Sequence, residues 1–393
     1  MISSDLTALI PYSKEYYIVP ENCIIKLEQY NIKFYNIDTL ERINLTPQEL
    51  NWSSDSAMKT GYPHYMIKEI NEQPKALENT IIPHLKDYIP DFSFENITDD
   101  FLKNIDNIQI VACGTALHAG LVACNVFSPI IKIPIVAYIA SEYRYSEALI
   151  TKNTLVIPIS QSGETVDTIA SLEIAKKNGA KILSIVNVKS STISRESDFC
   201  VFTNAGPEIA VASTKAYTVQ IPTLFLLFSK IAYLKNMMSK DELINFSKTL
   251  KKIPQIVSDT ISNDSIIKEI AKFLKFKNDC FYIGRLQDYI SSLEGALKLK
   301  EISYIHTDAY AAGELKHGTI ALITNGIPVI AIDTNIKISS KLLSNVEEVK
   351  AREASIILII NEDFEYKKDL TKFVVPIKNI DYKFSVFPVY ILS

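Results

Sequence analysis

Residues 154–165 read TLVIPISQSGET, an apolar run that ends abruptly in a loop of hydroxyl residues around one glycine. A run as apolar as 154–159 predicts a strand covered on both faces, as in a parallel sheet, rather than a strand with one wet face. Residues 166–178 continue with a helical pattern closed by Gly179, and residues 182–188 supply another apolar run. Strand, loop, helix and strand in this order predict the βαβ unit of a doubly wound α/β fold.

The same grammar holds on either side. Upstream, residues 107–113 (NIQIVAC) form an apolar run stopped by Gly114 and followed by the helix-like TALHAGLVACNVF. Downstream, strands are expected at 281–284, 328–332 and 355–360, with helices at 289–305 and 339–352. Gly114 and Gly284 stand 170 positions apart, and Val156 and Val329 stand 173 apart. So steady an offset argues for an internal duplication. The stretch between the copies, 208–276, reads as helical. Residues 1–60 carry only short β-like runs at 16–19 and 32–35, too little to bury a core. Residues 52–64 form a polar connector punctuated by Gly and Pro.

At 393 residues the chain is long enough for two or three domains, and 47% hydrophobic with 22% charged residues is the composition of a packed globular protein. A net charge of −4 argues against a nucleic-acid-binding surface, which needs a clustered basic excess. The five cysteines show no ligand spacing, so neither a disulfide framework nor a metal site is expected. The uncharged stretch 216–229 falls short of a membrane span and reads as a buried helix. Asp5 stands where a signal peptide wants positive charge, so a cytoplasmic protein is expected.

Three constellations can carry chemistry. Ser160, Gln161, Ser162, Gly163 and Thr165 sit between a strand and a helix, where hydroxyls and the first helical amides can converge on an anion. The bland alternative is a Ser-rich helix cap. No Walker sequence is present, which favours a sugar phosphate over a nucleoside triphosphate. Glu294, Lys298 and Glu301 fall at i, i+4 and i+7 of one helix and share a face. A carboxylate beside an ammonium can act as a proton-transfer base, although the same spacing is also the commonest solvated ion pair. His317 lies in the Gly-flanked segment GELKHG, a setting from which a histidine can reach a site, whereas His64, His84, His118 and His306 have no comparable setting.

Taken together, CGTALHAG (113–120), SEYRY (141–145), ISQSGETVDT (159–168), SRESDF (194–199), NAGPEIAVASTKAYT (204–218), LEGALKLKEISYIH (293–306) and AYAAGELKHG (309–318) stand in an order and spacing similar to the isomerase half of the glucosamine-6-phosphate synthase family. The segment GYPHYMIKEINEQPKALENT (61–80) resembles that family's interdomain linker and first isomerase helix. The resemblance implies two flavodoxin-like sugar-isomerase (SIS) domains, parallel sheets flanked by helices. The implied division is a glutaminase-domain remnant over 1–58, linker and first helix over 59–90, and SIS domains over 91–240 and 241–393.

The resemblance also implies roles. Ser160, Gln161, Ser162 and Thr165 match the phosphate-binding loop, and Thr115, Val211 and Ser213 match positions lining the sugar site. Glu301 matches the base that moves a proton between C1 and C2, Lys298 and Glu294 match its catalytic neighbours, and His317 matches a ring-opening histidine donated across a homodimer. No metal or organic cofactor is implied, and neither a nucleic acid nor a membrane is an expected partner. The pathway implied is amino-sugar biosynthesis toward UDP-GlcNAc.

Several departures from the family pattern shape the expectation. The chain opens Met1-Ile2 in place of a catalytic cysteine, and it ends in FPVYILS before the tail whose lysine forms a Schiff base with the sugar. Glutamine hydrolysis is therefore not expected from this chain, and isomerase turnover is expected to be impaired, with a non-catalytic phosphosugar-binding module or a purely structural remnant as the alternatives. Ala116 replaces a usual serine, Thr319 a usual proline, and Leu286 a usual glycine.

Overall fold

Ile108, Ile110 and Val111 have no exposed surface although they point alternately to opposite faces of one strand, so both faces of that strand are covered. In the computed structural model, which describes residues 1–3, 8–9, 12–29, 31–49 and 58–392, this strand is β1 (Asn107–Ala112). It joins β2 (Ile135–Ile139), β3 (Thr154–Ser160), β4 (Lys181–Val186) and β5 (Phe199–Phe202) in an all-parallel sheet of order β2-β1-β3-β4-β5. Helix α1 (Gly114–Ile131) follows β1, and α2 (Val166–Lys177) follows β3.

The helical middle begins with α3 (Lys215–Leu234), whose residues 215–232 are all buried. Its long apolar stretch fills the core of the domain. Next comes α4 (Lys240–Ser262), started by a capping box in which Ser239 Oγ accepts from Glu242 N at 3.2 Å and Ser239 N donates to Glu242 Oε2 at 2.8 Å.

The second sheet repeats the first. Strands β6 (Asp279–Gly284), β7 (His306–Ala311), β8 (Pro328–Asp333), β9 (Ser355–Asn361) and β10 (Phe373–Ile377) are parallel in the order β7-β6-β8-β9-β10. Both sheets thus have the flavodoxin-like order 2-1-3-4-5. Helix α5 (Gln287–Ser303) follows β6, α6 (Ser339–Lys350) follows β8, and the chain closes with α7 (Val386–Leu392).

Packing does not respect a division at residue 240. Leu243, Phe246, Leu250, Ile253 and Val257 of α4 lie in the core of the first sheet, and Phe384, Val386 and Phe387 join them there. Phe246 meets Phe127 at 5.6 Å and Phe384 at 4.8 Å between ring centroids. The end of the chain therefore returns to complete the first domain's core.

Contact density separates two units, Met1–Lys68 and Glu69–Ser393. In the first, Cys23–Glu28, Asn31–Asn36 and Arg42–Ile43 form an antiparallel sheet, and Glu15–Tyr16 pairs with Gln48–Glu49. Phe34 is its one buried hydrophobic side chain among the described residues. Residues 52–57 of the connector expected over 52–64 lie outside the described residues.

At the switch point of the second sheet the protein's own side chains and backbone engage one another. Asp288 Oδ2 accepts from Thr334 N at 2.9 Å, and Oδ1 accepts from Thr334 Oγ1 at 2.6 Å. Burial pushes the Asp288 carboxyl up to about 7, against the pull of Thr334, and pushes neighbouring Asp333 up to about 6. Both values lie above the ~3.9 of an unfolded aspartate. Between about pH 4 and 7 the folded chain then holds protons that the unfolded chain has released, so this contribution is complete at low pH and is lost as pH rises through 7. Urea unfolding of Asp288→Asn should show a shallower decline over that window than the parent, and equal slopes would contradict it. Leu286, which caps α5, adopts φ 54° and ψ −122°, a conformation glycine favours. Leu286→Gly should raise unfolding free energy by about 1 kcal/mol, relief of strain outweighing the freer unfolded chain; a loss of stability would show that the Leu286 side chain matters more than its backbone.

Candidate functional site at the first switch point

In a 2-1-3-4-5 sheet the order reverses between the first and third strands, and a crevice opens beyond their carboxyl ends. Here the loops after β1 and β3 meet, around a cavity of about 220 Å³ lined by Thr115, Ala116, Ser160, Gln161, Ser162, Thr165, Ser213 and Gln220, among others. Gln220 is buried, and its Oε1 has no hydrogen-bond partner. A polar orphan beside a polar cavity is the mark of a site that expects a ligand or water.

The 160–165 loop is held by its own side chains. Ser160 Oγ accepts from Gly163 N at 3.0 Å and lies 2.9 Å from Thr165 Oγ1, and Ser162 Oγ accepts from Glu164 N at 3.2 Å. Thr165 is the N-cap residue of α2 but makes no side-chain cap bond, so the first amides of that helix stay available. Gly163 has φ +68°, and a Cβ there would lie 2.1 Å from Ser191 Oγ. Glu164 Oε1 accepts from Thr192 N at 2.8 Å, which ties the loop to its neighbour.

A second wall comes from residues 203–216. Asn187 Oδ1 accepts from Ala205 N at 2.8 Å, and Asn187 Nδ2 donates to Gly206 O at 2.7 Å. Glu208 accepts from Ser213 Oγ, Thr214 N and Ala216 N at 2.8, 2.8 and 3.1 Å, which fixes the entry to α3. Glu69 accepts from Ile209 N at 2.7 Å and Ala210 N at 3.1 Å, and its burial raises its carboxyl above the usual range. From the far end of the chain, Tyr390 OH donates to Ser213 O at 3.1 Å.

Helix α5 brings the second domain to this wall. Glu294 has no exposed surface and accepts from Thr115 Oγ1 at 3.1 Å and from His118 Nδ1–H at 2.5 Å, both on α1. Lys298 Nζ lies 3.6 Å from Glu294 Oε1 and 2.6 Å from Glu301 Oε2. The three α5 residues form a row from a buried carboxylate through an ammonium to a carboxylate that is 36% exposed. Such a row sets a carboxylate beside an ammonium and next to open space, the setting a proton acceptor requires.

The residues singled out from the sequence divide clearly. Thr115, Ser160, Gln161, Ser162, Thr165 and Ser213 all line the cavity. Val211 does not, because its side chain is fully exposed. His317 ends the short helix Ala312–His317 and is exposed, with no place in the cavity wall of this chain. His118 corrects the expectation that it has no special setting. Its partner lies 176 positions away and leaves no trace in the local pattern. The substituted positions also show their effects: Ala116 faces the cavity, Leu286 takes a glycine conformation, and buried Thr319 Oγ1 has no hydrogen-bond partner where a proline would present none.

Fold and site together define a sugar-isomerase architecture, and the chain belongs to the SIS domain family, whose model matches residues 101–230 and 273–369. Among solved structures it is similar to the C-terminal domain of glucosamine-fructose-6-phosphate aminotransferase from Francisella tularensis, with 38% identity and a TM-score of 0.80 over 85% of this chain and 96% of that one. It is 42% identical to the glutamine–fructose-6-phosphate aminotransferase (isomerizing) of Clostridium tetani, over 94% of this chain and 60% of that protein. The chain spans about 60% of the length of the curated relatives it matches. A phosphosugar isomerase from Silicibacter pomeroyi, described as putative, shares the fold at 20% identity, with a TM-score of 0.69 over 84% of this chain and 94% of that one.

Gly163→Ala should weaken inorganic phosphate binding at least tenfold in calorimetric titration, since the new methyl group displaces the loop against Ser191. Adding Ser191→Gly should recover part of that loss but not the ~1–2 kcal/mol of left-handed backbone strain. Unaltered phosphate affinity in the single variant would remove the loop from the site.

Proposed function

We propose that this chain binds fructose 6-phosphate with its phosphate in the 160–165 loop and transfers a proton between C1 and C2 of the open-chain sugar. The observation that carries the reading is Thr115, which lines the hydroxyl-rich cavity and also donates to Glu294 at the head of the proton-transfer row. The hydroxyl-rich loop and the α5 row are thus linked through one side chain. Glu301 takes the proton from C1 as a C1–C2 double bond forms, and the same carboxyl returns it to the other carbon. Lys298, 2.6 Å away, pairs with Glu301 and orients its carboxylate.

With no nitrogen donor the product is the isomeric glucose 6-phosphate, formed without any co-reactant. With a nitrogen donor, an imine at C2 is the electron sink and the product is glucosamine 6-phosphate, as the names of the relatives suggest. The substrate itself then supplies the electrophile, and no metal or organic cofactor is required. In this reading the chain works as a cytoplasmic homodimer in amino-sugar biosynthesis, with His317 of one protomer opening the sugar ring in its partner. Its exposure in the single chain supports that role.

The test is calorimetric titration with fructose 6-phosphate alongside a coupled assay for glucose 6-phosphate. The Ser162→Ala, Thr165→Ala double variant should lose ~1–3 kcal/mol of binding per charged hydrogen bond removed. Glu301→Gln should abolish turnover and keep affinity within a few-fold. Unchanged affinity in the double variant would refute the phosphate assignment, and binding without turnover by the parent would establish a phosphosugar-binding module instead.

A further inference from the structure

His118 lies in the second turn of α1, its ring only 14% exposed. The proton-transfer row belongs to the other domain, so this histidine reaches across the domain junction. Ionised Glu294 is acceptor-only, and its two oxygens are held differently. Oε1 receives Thr115 Oγ1 at 3.1 Å and faces Lys298 Nζ at 3.6 Å, whereas Oε2 receives His118 Nδ1–H at 2.5 Å, the shortest of the three. A carboxylate with no exposed surface depends on such donors, because each one lost leaves charge buried without compensation. With the imidazole gone, Glu294 must rotate or take up a proton. Either change releases Lys298, the ammonium that sits 2.6 Å from Glu301.

We propose that His118 is a positioning residue for the proton-transfer chemistry: donating from the first domain, it fixes the Glu294 carboxylate and, through it, the Lys298 ammonium that flanks Glu301. The proposal rests on the isomerase reading for its kinetic consequence, and on geometry alone for its structural one. Asparagine at 118 can present an amide N–H toward Oε2, while phenylalanine fills the same space and donates nothing.

Two measurements on the full chain decide the matter. In the conversion of fructose 6-phosphate to glucose 6-phosphate, His118→Phe should lower kcat at least tenfold with KM within twofold, and His118→Asn should recover most of that loss. Equal losses in both variants, or a loss confined to KM, would overturn the proposal. Nitrogen-15 NMR of the histidine- and lysine-labelled chain reads the geometry whether or not the chain turns over. His118 Nδ1 should carry a proton, and the Lys298 Nζ signal should shift in His118→Phe but stay in place in His118→Asn. An unprotonated Nδ1, or a Lys298 signal indifferent to phenylalanine, overturns the proposal independently of the isomerase reading.

Discussion

The Glu294 carboxylate, with no exposed surface, is held from both domains at once, and the working end of the molecule is arranged around that constraint. A buried charge is costly unless several donors satisfy it. Satisfying this one requires α1 of the first domain and α5 of the second to lie side by side, which joins Thr115 of the cavity wall to the helix that carries Lys298 and Glu301. The burial of Glu294 also acts on its surroundings: its charge adds to desolvation in pushing the hydroxyls of Tyr217 and Tyr390 far above the ordinary tyrosine range. Those two rings meet at a 58° tilt with centroids 4.6 Å apart, and Tyr390 OH bonds Ser213 O, so the hydroxyl wall of the cavity is backed by phenols that stay neutral.

The six strands legible in the sequence, β1, β3, β4, β6, β8 and β9, are the interior strands of the two sheets. The four that were missed, β2, β5, β7 and β10, are the edges. An interior strand between two neighbours and two helical layers must be apolar throughout, and that signal survives in the sequence. An edge strand such as β7, HTDAYA, can be polar, because its outer side faces water and its pairing is decided by β6. The site follows the same rule. The 160–165 loop announces itself because all its parts are contiguous, and the α5 row because helical spacing is regular. His118 sits in the mostly apolar TALHAGL, where nothing in the local pattern points to a partner 176 positions away, and Val211 shows that matching a site position need not place a side chain in the cavity.

Duplication has given the chain two equivalent crevices with different contents. At the first, hydroxyls and helix-opening amides are left for a ligand. At the second, Asp288 supplies a carboxylate from within and occupies the Thr334 amide and hydroxyl, while Thr334 Oγ1 and Ser385 Oγ lie 2.9 Å apart. Gln287 donates to Tyr382 O at 3.0 Å in the same cluster. In the second copy these bonds anchor the start of the helix that carries Glu294, Lys298 and Glu301.

The return of residues 384–387 to the core of the first sheet has a consequence for how the molecule is made. Phe225 and Phe246 find part of their packing on side chains synthesised more than a hundred residues later. While the chain emerges, that aromatic surface stays uncovered until the second sheet is complete and its last helix can swing back. The two domains are thus separate in topology but joined in packing, and residues 384–387 close the first domain's core.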